Sequence, residues 1–176
     1  MASVVSAQFT ASLQGAITNA LAVTGMSGNG NLPYVISLAL AAGTAAGQVN
    51  QAWPTAGTVT AGGSVDLDLY APGVTDPVGN ALTFARVKLV IIVNLNTLET
   101  DTLQIGNKAA TSGWTSLVSP NTGYIPISGA GGFLILAAPG ATGLAVTSSS
   151  LNHLLHLAAP GANNVNYVVI TFGCNV

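Results

Sequence analysis

Across residues 64–70 apolar and polar positions alternate without a break. Val65, Leu67 and Leu69 fall on one side, Asp66 and Asp68 on the other. A period of two marks a strand with one buried face. Gly62-Gly63 before it and Pro72-Gly73 after it are turn signals. Residues 82–95 form the longest apolar stretch, and their β-branched content predicts a second strand. Its faces read Ala85, Val87, Leu89, Ile91 and Val93 against Phe84, Arg86, Lys88, Val90 and Ile92. Both faces turn apolar in the C-terminal half, as in a central strand covered on both sides.

Short strand-like runs follow at 100–105, 124–128, 133–138, 144–147, 151–158 and 165–172, separated by Gly, Pro and Asn. Pro126 assigns its run to a sheet edge, because proline has no N–H to give a central ladder. Upstream, 8–13 and 32–40 are weaker strand candidates, with 25–31 a Gly/Asn loop between them. Ala-Pro-Gly occurs at 71–73, 138–140 and 159–161, each time after a strand-like run, and reads as one turn chemistry used three times. Many short strands with such punctuation predict an all-β sandwich or barrel.

Charge changes the picture. The chain of 176 residues holds three basic and five acidic side chains, 5% in all. Soluble domains average about 25%. Mean hydropathy is +0.59. Disorder, which needs low hydrophobicity and high net charge, is excluded. Three basic residues give no footprint for phosphate, so no nucleic-acid partner is expected. The longest strongly apolar run, 89–93, is far short of the ~18 residues a membrane helix needs, so no membrane partner is expected either. Met1-Ala2-Ser3-Val4-Val5 lacks the basic start of a secretory signal. A single cysteine, Cys174, permits no internal disulfide or thiolate cluster and points to assembly in a reducing compartment. Such a chain covers itself with Ser, Thr, Asn, Gly and Ala, which suits a surface occupied by copies of itself or by a partner.

Candidate chemistry is sparse. His153 and His156 would share a face on a helix, but in a strand their odd separation puts them on opposite faces. Asp66 and Asp68 lie about 7 Å apart on one strand face, the pattern of a solvated face more often than of a Ca²⁺ or acid–base site. Arg86 and Lys88 share a face likewise; on neighbouring strands they would pair with Asp66 and Asp68, fixing register or marking a partner contact. Cys174 has no local base to activate it. No Gly-x-Ser-x-Gly or phosphate loop occurs. No catalytic residue, metal or cofactor is therefore expected, and the chain reads as a non-enzyme.

The order of several segments resembles small structural proteins of tailed bacteriophages. These are Asp-Leu-Asp-Leu at 66–69, the run from Asp76 to Lys88, a strand ending in Asn94-Leu95, and Leu-Gln-Ile-Gly at 103–106. The stretches 131–139, 143–147 and 165–170 continue it, so the likeness covers about residues 60–173. It implies an all-β, jelly-roll-like two-sheet β-sandwich at 56–176, with 1–55 as an N-terminal extension or assembly arm. It also implies a virion protein, assembled in the host cytoplasm, that decorates or cements a capsid against the major capsid protein. A tail, fibre or baseplate component, receptor-binding or not, is the alternative; a hydrolase or lectin acting on surface sugars is a third. A homo-oligomer follows from the low charge, and a trimer at local three-fold positions from the resemblance. Residues 1–55 carry no charge; Leu13, Ile17, Leu21 and Tyr34 are the expected anchors of the arm, and Arg86 and Lys88 the expected charged contacts.

Overall fold

The computed structural model describes residues 6–20, 27–75, 81–106, 113–117, 123–147 and 152–176. Among the described residues every regular element is a strand. Two long strands, β1 (Ala7–Ala20) and β2 (Ser27–Ala42), form an antiparallel ribbon. The short β3 (Gln48–Val49) pairs parallel to the end of β2 and leads into β4 (Gln51–Val59). There follow β5 (Ser64–Asp68), β6 (Arg86–Asn94), β7 (Leu103–Gly106), β8 (Tyr124–Ile127), β9 (Phe133–Ala137), β10 (Leu144–Ala145), β11 (Leu154–Ala158) and β12 (Val165–Cys174).

Beyond the ribbon the pairing is nested. β4 pairs with β12, β5 with β11, β6 with β9 and β7 with β8. The contacts β12–β6 and β11–β7 join these pairs into two sheets, β4-β12-β6-β9 and β5-β11-β7-β8, with β10 continuing the β9 edge along β6. Strands wrapped as nested antiparallel pairs make a jelly roll, the architecture expected from the resemblance. Inward positions alternate along each strand, so Leu67, Leu103, Ile105, Leu155 and Leu157 meet Trp53, Val90, Ile92, Val165 and Val169 in one core. Pro126 lies in β8 at a sheet edge, as its missing N–H requires.

Several expectations are corrected. β4 went unread because Pro54, Gly57 and small residues break its alternation; it survives as an edge strand, where a proline is tolerated. It spans residues 55–56, the expected junction of arm and sandwich. Residues 27–31, expected in a loop, belong to β2. The strand expected at 82–95 begins only at Arg86; Leu82 and Phe84 precede it as buried residues whose N–H groups donate to Val74 and Leu69 carbonyls. The expected faces of that strand also fail. Leu89 pairs with Phe172 and Val87 with Gly173, so Lys88 is an extra residue, a β-bulge. The bulge flips the alternation: Val87, Val90 and Ile92 face the core, whereas Leu89 and Ile91 pack on the opposite side. Gly173 is needed there, since a Cβ would strike the Arg86 carbonyl. The Ala-Pro-Gly segments do not share one geometry, because Gly73 has φ +72° while Gly140 and Gly161 lie outside the positive-φ region.

Candidate assembly surface

The two sheets differ on their outer faces. On the four-stranded sheet, Ser64, Asp66 and Asp68 of β5, His156 of β11 and Gln104 of β7 lie outside the core. His156 Nδ1 lies 2.6 Å from Asp66 Oδ1, its register partner. Asp68 accepts from the N–H groups of Tyr70 and Ala71 at 2.9 and 3.0 Å and holds the turn. On this polar face Asp68 and the Asp66–His156 pair are engaged locally.

The five-stranded sheet presents the opposite chemistry. Three of its outer cross-strand rows are apolar: Ala52, Phe172, Leu89 and Ala137; then Pro54, Ile170, Ile91 and Ile135; then Ala56, Val168, Val93 and Phe133; the next outer pair, Thr58 and Asn166, is polar, with Thr58 Oγ1 donating to Asn166 Oδ1 at 2.7 Å. No charged residue stands in any row. The first row and part of the second are covered. Leu40 and Val49 are buried there with Leu89, and Leu38, Ile91, Ile135 and Phe172 pack against them. The cover is the base of the ribbon, tied down by β3 and by the Gly47 N–H donating to the Pro139 carbonyl at 2.7 Å. The far end is open: Phe133 is 63% exposed, and Leu95, just past β6, is 53% exposed.

The ribbon itself is amphipathic by register. Phe9, Ala11, Leu13 and Ile17 stand on one face of β1, and Leu38, Ile36, Tyr34 and Gly30 are their partners in β2. Gln8, Thr10, Ser12, Gln14 and Thr18 occupy the other face; of these, Gln8 and Thr10 are exposed. Leu13 and Tyr34, both expected as anchors, are direct register partners, and Ile17 lies four residues on along the same face. Leu21 falls outside the described residues. Along its length β1 pairs only with β2 among the described residues.

Arg86 and Lys88 do not meet Asp66 and Asp68, because β5 and β6 belong to different sheets. Lys88 is fully buried and donates from Nζ to the carbonyls of Gly140 and Ala141; Arg86 Nη1 reaches the same Ala141 oxygen at 2.9 Å. These cations fasten the 138–143 turn rather than an anion. Cys174 is buried, its thiol 3.4 Å from the Gln48 carbonyl. Burial raises its pKa, although Lys88 and Arg86 nearby pull the other way. His153 is buried and faces away from His156, as the odd spacing required. Trp53, Trp114 and Tyr167 are core residues. The covered outer face had one sequence signal, the doubly apolar half of β6. Its partners from β9 and β12 were invisible until the strands were paired. No family model, no curated protein and no solved structure matches the chain.

Proposed function

We propose that the chain is a non-enzymatic structural subunit of a bacteriophage particle, decorating or cementing the capsid through contacts with the major capsid protein and with its own copies. One observation carries the self-assembling part: a charge-free apolar outer sheet face beside an amphipathic, charge-free N-terminal ribbon. Soluble monomers rarely leave contiguous apolar patches beyond a few hundred Å², and closed symmetric assembly removes them. The phage setting is supported by the segment order noted in the sequence and by the recurrence of jelly rolls in capsid domains. A fold hosts many functions, so that support is analogy. The non-enzymatic part is supported by the fate of three candidate groups: His156 engaged by Asp66, Lys88 spent on carbonyls, Cys174 a buried thiol of raised pKa.

Immunogold labelling of phage particles from cells carrying the gene tests this. Label distributed over the head is the expected result. Label confined to the tail moves the protein to a tail, fibre or baseplate role, and absence of label from every particle overturns the reading.

A further inference from the structure

The uncovered end of the outer face continues the surface on which the ribbon base already sits. Leu38 and Leu40 pack against Leu89, Ile91 and Phe172; one row further, Val93 and Phe133 have no such cover, and Phe133 is 63% exposed. Within one chain, apolar ribbon residues seated on this sheet are thus the observed packing. The rest of the same ribbon face, around Leu13, Tyr34 and Ile17, pairs with no strand of the sandwich among the described residues. A two-stranded ribbon is marginal in water without packing.

We propose that the β1–β2 ribbon of a second copy lies across the uncovered part of this outer sheet face, so that copies exchange ribbons. Two arguments select this occupant. Chemistry matches, because the ribbon and the rows of the face are both uncharged, which leaves no role for a partner chosen by charge. Reach matches, because 14 residues of β1 extend about 46 Å, more than the breadth of the sheet. The inference names the surfaces used by the self-assembly proposed above and is independent of the particle to which the assembly belongs.

Single cysteines test it. One tagged protein carries Phe133→Cys on the sheet; a second, differently tagged, carries Leu13→Cys or Tyr34→Cys on the ribbon. The native Cys174 is buried and stays in place. After mixing and mild oxidation, disulfides between a ribbon cysteine of one tag and Phe133→Cys of the other are expected to predominate. Predominant sheet-to-sheet or ribbon-to-ribbon disulfides, or none, overturn the proposal. Phe133→Asp, at an exposed position that leaves the core intact, should weaken self-association at least tenfold by sedimentation; unchanged association also overturns it. A Phe133→Cys thiol that stays reactive in the purified protein but is protected on particles assigns the face to the shell instead. Mixed disulfides with no label on phage heads keep this contact and reject only the capsid role.

Discussion

Gly57 and Tyr167 are register partners across β4 and β12, and the phenol ring of Tyr167 fills the space that a side chain at position 57 would take. A Cβ there would lie 2.7 Å from Tyr167 Oη and 3.0 Å from Cζ. An aromatic ring laid over an edge-strand glycine restores the packing that glycine lacks. Gly57→Ala should therefore displace a buried ring and cost about 1–3 kcal/mol, read from the midpoint of urea unfolding. Gly57→Ala combined with Tyr167→Leu should lose less than the sum of the two single changes, because each relieves the other.

Burial raises the pKa of Tyr167 above its ordinary 10.0. The neutral phenol is the form the fold favours, so its contribution is complete below about pH 10. It is lost as pH climbs from there through the raised value. Thermal midpoints measured from pH 8 to 11.5 should fall more steeply for the native protein than for Tyr167→Phe.

Asn94 ties the two sheets together. It is fully buried at the end of β6; its Nδ2 donates to the Asp101 carbonyl at 2.6 Å and to the Ile127 carbonyl of β8 at 3.0 Å, and its Oδ1 accepts from the Asn96 N–H at 3.1 Å. Asn94→Leu keeps the volume but strands these groups, and should cost about 2–5 kcal/mol in chemical denaturation, since each buried unmet group costs about 1–3.

Asp101 beside it accepts from the amides of Asn163 and Asn96, at 2.9 and 2.8 Å, which hold its carboxyl below the ordinary 3.8. A depressed carboxyl contributes above its unfolded pKa and stops contributing as pH falls through the folded value. Stability should drop below about pH 4 in the native protein. The acid limb should be shallower in Asp101→Asn, compared by thermal melts from pH 2 to 6.

Lys88 is expected to contribute mainly through its stem. Its head bonds only to backbone carbonyls of a turn whose Gly140 and Ala141 are exposed, so water can replace it. Lys88→Ala should cost about 2–4 kcal/mol by opening a void at the bulge. Lys88→Met should recover most of that loss, as an apolar residue of similar volume commonly does for a buried charge. Equal losses for both variants in urea unfolding would assign the stability to the charge.

The position of β4 makes truncation informative. Removing residues 1–37 leaves every strand of the jelly roll, so far-UV circular dichroism should retain the β signature and a cooperative melt should persist. Removing residues 1–55 cuts β4 in half and discards buried Trp53. That form should lose cooperative unfolding.

The sequence by itself determined the all-β class, because strict alternation at 64–68 and the β-branched run at 86–94 are local signals that backbone geometry enforces on any chain. It also set the β8 edge, through the N–H that Pro126 lacks, and the divergence of His153 and His156, through the strand period. Tertiary structure decided the rest. β4 was legible only once β12 supplied its ladder, since Pro54, Ala56 and Gly57 interrupt the extension that Trp53, Thr55 and Thr58 favour. The faces of β6 depended on one inserted residue, Lys88, opposite Gly173, and a bulge arises from the register of two strands far apart in sequence. Which charges met was likewise set by sheet membership: Asp66 found His156 on its neighbour β11, while Arg86 and Lys88, in the other sheet, turned to backbone carbonyls. The apolar outer face exists only where β4, β12, β6 and β9 stand side by side; each strand contributes a few residues that look unremarkable alone, and pairing makes them one surface.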